Sequence, residues 1–442
     1  MNVKNANEQP RILVITVSSW NKRVGSNTWT SLLEGVDPAN VANICIREET
    51  PDNPACSRYF AISENRVLRS ILKRRTQTGR EILPVATADD TLSEDKEAHD
   101  RRYAQMKKKR RYSMLMAREM VWWLGRWRTP ELDAFLDDFK PDVILHSMEG
   151  YIHLNRIIRY AIRRTGARAV GYVWDDNFTY RQSKKLGYKV YRYFQRRSLT
   201  RLARQTDAFF AISDMTKREA DAFFGIDCTV LTKPLSRTPV LHDYSSFRRP
   251  IRMLYTGNLL IGRDRSLLRL VKAAERLPAG SFEIDVYTQT ALSEDKKRTL
   301  EASGICRIHA PIPQAEVLAK QTEADVLIFL EDIDGPDAHT ARLSFSTKIT
   351  DYLSSGACIF AVGCADTAPM QYFIQTRAAA VATGEQEIEL RLRELLDGAP
   401  DTLATLAERA AAVGMEKHNK KLVLETFHRV VDGDAQHTLE DR

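Results

Sequence analysis

The sequence predicts an α/β fold with two doubly wound domains that face a central cleft. The chain has 442 residues, which is more than one ordinary hydrophobic core supports. Short apolar segments alternate with segments of helical periodicity in both halves, as in parallel sheets covered by helices. A proline-rich stretch without clear periodicity separates the halves. We therefore predict an N-terminal domain at 1–235, a linker at 236–250, a C-terminal domain at 251–415 and a C-terminal helix and tail at 416–442.

The N-terminal half contains four predicted strands, at residues 11–19, 141–145, 167–174 and 207–212. Each is a β-branched or apolar run followed by polar residues and then by a helical pattern. Thr129 is expected to cap a helix that has Pro130 in its first turn, because proline lacks the N–H that would be unpaired there.

Residues 64–128 interrupt this alternation and are predicted as a basic helical insertion. Between Met106 and Trp127, apolar residues recur every three or four positions and lysines and arginines flank them, which indicates an amphipathic helix. Two interpretations stay open. The apolar stripe packs on the domain core, or the helix lies in a membrane interface.

The C-terminal half contains six predicted strands, at residues 251–256, 282–288, 306–310, 325–330, 357–362 and 378–382. Helical patterns separate them. This arrangement predicts the second doubly wound domain.

The net charge of +8 is unevenly distributed. Residues 101–128 carry ten lysines or arginines and one acid, and residues 181–204 carry nine and none. This asymmetry indicates an anionic partner at the N-terminal half, such as an anionic acceptor or membrane surface. The alternative is that both segments are solvated helix faces.

The six cysteines form no CxxC pair and show no zinc-finger spacing with histidine, so neither a metal site nor a disulfide framework is expected. The polar N-terminus and the lack of a long apolar run predict a cytoplasmic protein, with peripheral association at the inner membrane face if the basic segments bind lipid.

The first candidate site is the segment 345–356, FSTKITDYLSSG. Ser346 and Thr347 stand where a helix begins, so its free N–H groups suit a diphosphate in the cleft. Lys348 adds a positive charge, and Asp351 is expected to accept hydrogen bonds from ribose hydroxyls. Gly356 ends the helix. An ordinary capped helix is the alternative interpretation.

The second candidate site follows the strand at 251–256. Ligands of open α/β sheets bind beyond the carboxyl ends of strands, where Gly257 and Asn258 lie. Arg263 is the cation expected to contact phosphate oxygens. Arg265 and Arg269 are interpreted as solvated side chains or partners of acids.

These motifs resemble those of retaining GT-B glycosyltransferases of the large bacterial polysaccharide type, family 4-like. There a G-x-L-x-x-x-K/R loop and a P-x-K-x-x-E-Y-x-x-x-G helix bind the donor. The loop corresponds here to Gly257, Leu259 and Arg263, and the helix to Lys348, Asp351, Tyr352 and Gly356. The family's proline before the lysine is Ser346 here, and the first residue of its common glutamate pair is Leu343.

Two sites in the N-terminal half complete the prediction. Gly25 follows the first strand, where the absence of a side chain would allow the backbone to approach a sugar or phosphate. Asp175 and Asp176 end another strand, at a point where the resemblance implies a residue facing the reacting sugar. Adjacent side chains of a strand point in opposite directions, so only one is expected to do so, and Asp175 is preferred.

The resemblance implies a glycosyltransferase of the hexosyltransferase type. It would transfer a sugar from a nucleotide-sugar donor, with retention, to an acceptor such as a lipid-linked glycan. Arg263, Lys348 and one aspartate would be catalytic. No cofactor, metal ion or nucleic acid is expected. The alternatives are a nucleotide-sugar epimerase of the same fold and a non-catalytic basic adaptor at membranes.

Overall fold

The computed structural model describes residues 9–20, 28–47, 51–82, 112–335 and 337–433. They divide into two compact units. The first contains the described residues up to 211 together with 217–230 and 427–433, and the second contains 212–216 and 231–426. The predicted linker at 236–250 therefore belongs to the second unit.

The first unit contains an eight-stranded sheet with the order β4-β3-β2-β1-β5-β6-β7-β8. Its strands are β1 (Ile12–Thr16), β2 (Val41–Cys45), β3 (Arg58–Ile62), β4 (Gly79–Ile82), β5 (Val143–Ser147), β6 (Arg168–Val173), β7 (Ala208–Ala211) and β8 (Cys228–Val230). Neighbours are parallel except for β3 and β4. The strand order changes direction between β1 and β5, which is where open α/β sheets bind ligands.

Seven α-helices are described in the N-terminal half. They are α1 (Thr28–Leu32), α2 (Glu64–Leu72), α3 (Tyr112–Leu124), α4 (Pro130–Phe139), α5 (Ile152–Thr165), α6 (Leu186–Ala203) and α7 (Asp214–Phe224), with a short 3-10 helix at Pro38–Asn40. The predicted cap of α4 is confirmed, because the Thr129 hydroxyl accepts a hydrogen bond from the Leu132 N–H at 3.4 Å.

The second unit contains a six-stranded parallel sheet with the order β11-β10-β9-β12-β13-β14. Its strands are β9 (Ile251–Thr256), β10 (Phe282–Tyr287), β11 (Cys306–His309), β12 (Val326–Leu330), β13 (Cys358–Val362) and β14 (Ala380–Ala382). All six strands predicted for this half are confirmed to within two residues. Here the order changes direction between β9 and β12.

Eight helices are described in the C-terminal half. They are α8 (Arg263–Glu275), α9 (Glu294–Glu301), α10 (Gln314–Glu323), α11 (Lys348–Leu353), α12 (Ala368–Thr376), α13 (Glu385–Asp397), α14 (Asp401–Lys417) and α15 (Lys420–Asp432). β12 and β13 are buried along their whole length, because helices cover both faces of a parallel sheet.

The segment predicted as a helical insertion is only partly helical. It contains α2 and α3, but β4 joins the edge of the first sheet antiparallel to β3, and residues 83–111 lie outside the described part of the chain. Trp122 is buried and stacks on His153 at 4.5 Å between ring centroids. Trp123 is 64% exposed. The tryptophans are thus divided between the core and the surface, where the sequence left a choice between the two.

Glu119, the one acid of the basic segment 101–128, has a structural role. Its carboxylate accepts hydrogen bonds from the N–H groups of Ile152 and His153 at 3.2 and 2.9 Å. Those N–H groups open α5, so the acid stabilises the N-terminus of a neighbouring helix.

All six cysteines lie in the described residues and none is in a disulfide. Within the same residues, no helix is long and apolar enough to cross a bilayer.

Candidate functional site

A pocket of about 320 Å³ lies in the second unit, at the carboxyl ends of β9 and β12. These two strands flank the point where the strand order of the sheet changes direction. Predicted and unpredicted residues line the pocket together: Tyr255, Asn258, Arg263, Ile328, Phe329, Leu330, Glu331, Ala341, Ser344, Phe345, Ser346, Thr347 and Lys348. Five predicted donor-site residues therefore meet in one cavity, although the two motifs are about eighty residues apart in sequence.

Lys348 is held between an aromatic ring and a backbone. Its Nζ lies 4.8 Å from the centre of the Tyr255 ring, a distance at which a cation is attracted to an aromatic face. On the other side it packs against Gly257, where a Cβ atom would lie 1.8 Å from Nζ. Gly257 also has a φ of 138°, a backbone conformation that favours glycine, and a larger residue there would displace the Lys348 ammonium.

The pKa of Lys348 is lowered to about 8, mainly by burial and further by the positive charge of Arg263. Glu331 and Asp351 partly oppose this effect. Near neutral pH the ammonium is therefore charged, but its charge is only partly compensated by the protein. Such a group favours binding of an anion.

Arg263 is fixed by three hydrogen bonds. Its guanidinium donates to Leu330 O at 3.1 Å, to Asn258 Oδ1 at 2.8 Å and to Glu331 Oε1 at 2.8 Å. Burial works against its charge, but Glu331, Tyr255 and Tyr352 together outweigh that effect, so the pKa of Arg263 lies above its ordinary value. These bonds use three of its five N–H groups and leave two for a ligand.

Glu331 was not predicted as a site residue. It is buried, lines the pocket and pairs with Arg263. In the sequence it is only one of several acids that follow the predicted strand at 325–330, and its pairing with Arg263 depends on β9 and β12 being adjacent.

Ser346 and Thr347 lie where they were predicted, immediately before α11. One of the expected free N–H groups is partly occupied, since the Lys348 N–H points to the Ser346 hydroxyl at 3.4 Å. The helix has six residues, so its dipole is small. Gly356 has a φ of 78°, and a Cβ there would lie 1.8 Å from Val240 O. The helix itself ends earlier than predicted, at Leu353 with Ser354 as its C-cap, and Gly356 ends the turn that follows.

Asp351 is not among the residues that line the pocket. Its carboxylate accepts a hydrogen bond from Lys233 Nζ at 3.1 Å, and both side chains are largely buried. Contact with a ribose would have to use the remaining capacity of this carboxylate, so the ribose role stays a prediction.

In the first unit, Asp176 has a local structural role. It is buried, and its two carboxylate oxygens accept hydrogen bonds from the Thr179 N–H, at 2.8 Å, and from the Thr179 hydroxyl. Asp175 is partly exposed and is therefore the better candidate of the two. Gly25, the remaining predicted contact, lies outside the described residues.

Glu149 lies close to Asp175 and was not predicted. It follows β5, accepts a hydrogen bond from the Ser147 hydroxyl at 3.2 Å and also interacts with the Trp174 side chain. Burial, and then the negative charge of Asp175, raise the pKa of Glu149 to about 7. A carboxyl that titrates near neutral pH can donate or accept a proton, and such groups concentrate at functional sites.

Among the described residues, no group of three or more His, Cys, Asp or Glu side chains is arranged to hold a metal ion. The prediction that no metal is required stays a prediction.

No protein-family model matches the chain, and no curated protein matches it in sequence. Solved structures do match. The lipopolysaccharide outer core galactosyltransferase WaaB is 13% identical, with a TM-score of 0.58 over 96% of this chain and 99% of that one. An α,α-trehalose-phosphate synthase (UDP-forming) from Burkholderia vietnamiensis is 11% identical, with a TM-score of 0.56 over 98% and 100%.

The chain also covers 60% of a pneumococcal O-GlcNAc transferase, with 13% identity and a TM-score of 0.49. The similarity to WaaB and the synthase establishes the fold, which is that of the GT-B glycosyltransferases.

Proposed function

We propose that this protein is a glycosyltransferase that transfers a hexose from a nucleotide-sugar donor to an acceptor hydroxyl. The observation that carries the proposal is the meeting of Lys348 and Arg263 in one pocket at the topological switch point of the second sheet. Two cations there, one of them incompletely compensated, suit the diphosphate of a nucleotide sugar. The GT-B fold and the sugar transfer named for its structural neighbours support the same assignment.

In the proposed reaction, the bond between the sugar C1 and the diphosphate oxygen breaks, and its electron pair leaves with the diphosphate. The acceptor oxygen forms a bond to C1 and releases its proton, which the departing diphosphate or solvent takes up. Negative charge therefore grows on the diphosphate in the transition state. Lys348 and Arg263 stabilise that charge, and Ser346 and Thr347 supply hydrogen-bond donors beside them.

Asp175 is proposed to orient the acceptor or to stabilise positive charge at C1. Its neighbour Glu149 adds a group that is about half protonated at pH 7. Retention of configuration rests on the resemblance of the donor motifs alone. The basic segments of the N-terminal half support an anionic or lipid-linked acceptor in polysaccharide or glycolipid assembly, and a cytoplasmic enzyme that works at the inner face of the membrane.

Release of nucleotide diphosphate tests this proposal. The protein is incubated with UDP-, GDP- and dTDP-sugars, each with and without a lipid-linked acceptor fraction. Acceptor-dependent release that disappears in Lys348→Ala supports transfer. Conversion of the donor sugar without consumption of acceptor would indicate an epimerase instead. No reaction with any donor, combined with no binding of nucleoside diphosphate, would reject an enzymatic role for the pocket.

A further inference from the structure

Helix α6 has an apolar face that points away from the protein. Its inner face is buried in the first unit through residues such as Tyr188, Leu199 and Leu202. A second set of large apolar side chains follows the spacing i, i+4, i+7 and i+8, and each is between 43% and 76% exposed: Leu186, Val190, Tyr193 and Phe194. This spacing places them on one face of the helix.

Helix α3, next to α6, also exposes large apolar side chains. It packs beside the start of α6, where the Tyr112 and Tyr188 rings meet at 5.9 Å between centroids and Tyr112 also contacts Gly187. Its own large apolar side chains between 47% and 64% exposed are Met114, Met120, Trp123 and Leu124. Single exposed apolar side chains are common, but two packed helices that both expose several of them mark an interaction surface.

The same face of α6 carries positive charge without negative charge. Five exposed cations lie between or beside the apolar residues: Lys184, Lys185, Lys189, Arg197 and Arg201. The segment 181–204 contains no acid, and within the described residues none of these five side chains is in an ion pair. Among the residues that the structure describes, the surface therefore combines apolar side chains with positive charge that no ion pair compensates.

We infer that the outer face of α6 docks on an anionic lipid bilayer. Leu186, Val190 and Phe194 would enter the boundary between headgroups and acyl chains, while the cations contact lipid phosphates. Nucleic acid would satisfy the cations but would leave the aliphatic side chains in water. An acidic protein surface would pair with the cations, but the combination of aliphatic and aromatic side chains with flanking lysines fits a membrane interface best.

This inference concerns a surface in the first unit and does not depend on the proposed transfer reaction. It assigns membrane contact to α6, whereas the sequence alone pointed to residues 101–128, of which 101–111 lie outside the described part.

Sedimentation with vesicles tests the inference on the full chain. Vesicles of phosphatidylcholine are compared with vesicles that also contain phosphatidylglycerol, at low and at raised salt. The unmodified protein should bind only the anionic vesicles, and salt should weaken binding. Lys185→Glu combined with Lys189→Glu should lower the partition coefficient on the order of 30-fold or more, since each cation near an anionic surface contributes about fivefold.

A second variant separates lipid insertion from charge attraction alone. Leu186→Ser combined with Val190→Ser leaves the charge unchanged and should still lower partitioning roughly tenfold, because the apolar contribution is lost. The matched control is Lys272→Glu with Arg298→Glu, which changes the net charge as much as the α6 charge variant does but on α8 and α9, where both side chains are exposed. This control should bind vesicles like the unmodified protein.

Equal binding to neutral and anionic vesicles would overturn the inference, as would equal losses in the α6 charge variant and the control. Unchanged binding in the serine variant would also overturn it, because the apolar face would then have no part. Tighter binding to single-stranded RNA than to anionic vesicles, lost in the same charge variant, would assign the surface to nucleic acid. Circular dichroism of each variant checks that α6 is intact, since all substituted side chains are exposed.

Discussion

Replacing Arg263 or Lys348 by alanine should reduce sugar transfer strongly, but the two changes should affect folding differently. Each side chain is proposed to contact the leaving diphosphate, and loss of one such donor costs about 2 to 4 kcal/mol in the transition state. The corresponding decrease in kcat is roughly 30- to 1000-fold. Their effects on folding should differ because Arg263 is held by the buried Glu331, whereas Lys348 pairs with no acid of the described residues at short distance.

Arg263→Ala would therefore leave the Glu331 carboxylate without its partner. Removing one member of a buried ion pair costs about 3 to 5 kcal/mol of stability, and the unpaired carboxylate would also repel a diphosphate. Arg263→Ala combined with Glu331→Ala removes this effect. Its stability should exceed that of Arg263→Ala, because the carboxylate that would lose its partner is removed as well, whereas its transfer rate should stay low because the phosphate contact is still absent.

Lys348→Ala has no such complication, since Lys348 contacts the Tyr255 ring and Gly257 rather than an acid at short distance. Burial of its charge is unfavourable, as its lowered pKa indicates. We therefore expect Lys348→Ala to fold with nearly unchanged stability and to lose activity. This variant is the cleaner test of the site.

The assay measures kcat and donor KM by release of nucleotide diphosphate, and the free energy of unfolding by urea denaturation. A surface variant such as Lys272→Ala provides the reference for an exposed cation. The reasoning is refuted if the triple variant Arg263→Ala, Glu331→Ala and Lys348→Ala folds normally and transfers sugar at near the unmodified rate.

Four further outcomes follow from the same contacts. Donor affinity should fall as the pH rises above about 8, because Lys348 loses its proton there. The decrease should be absent in Lys348→Arg. Titration calorimetry with the nucleoside diphosphate measures the affinity of both proteins. Asp351→Asn should raise donor KM more than it lowers kcat, because a ribose contact is made in both ground and transition states; a kcat decrease alone would contradict the ribose role. Chelator should leave activity largely intact, and loss that is restored by a divalent ion would contradict metal-free transfer. As the pH rises from 5 to 8, the free energy of unfolding of the unmodified protein should fall by roughly 2 to 3 kcal/mol relative to that of Glu149→Gln, as measured by urea denaturation. The direction follows from the raised pKa of Glu149. Above the ordinary pKa of a glutamate, the unfolded chain releases a proton that the folded protein still holds. The stability of the unmodified protein therefore falls as the pH rises to about 7.

The second sheet could be predicted from sequence because two of its strands, β12 and β13, are apolar along their whole length and clear helical patterns separate all six strands. The first sheet was predicted less completely. β2 is as buried as the other strands, but its sequence, VANIC, includes Asn43, a polar residue that interrupts the apolar run. Asn43 is tolerated there because its amide donates hydrogen bonds to Val14 O and Thr16 Oγ1 on β1, and such compensation cannot be seen in a single strand.

The donor motifs could be predicted because each lies within a short segment. The pairing of Lys233 with Asp351 could not, since the two residues are 118 positions apart and Lys233 was assigned to the end of the N-terminal domain, just before the predicted linker. The same holds for Glu331, which is 68 positions from Arg263. Local patterns indicate which groups stand at strand ends, whereas partners of those groups depend on which strands become neighbours.

The pairing of Glu149 with Asp175 likewise depends on which strands are neighbours in the sheet. Each carboxyl follows the end of a strand, and the strands concerned, β5 and β6, are parallel neighbours in register from Val143 opposite Arg168. Parallel neighbours end at the same edge of a sheet, so the two acids are brought together there, and their mutual repulsion adds to burial in raising the pKa of Glu149. The carboxylate of Asp176, one residue further along, instead accepts a hydrogen bond from Thr179 within a local turn. The acid pair at this edge of the sheet is formed by one residue from each of two strands. A single strand does not show such a pair, which explains why the sequence indicated one aspartate where the structure has two interacting acids.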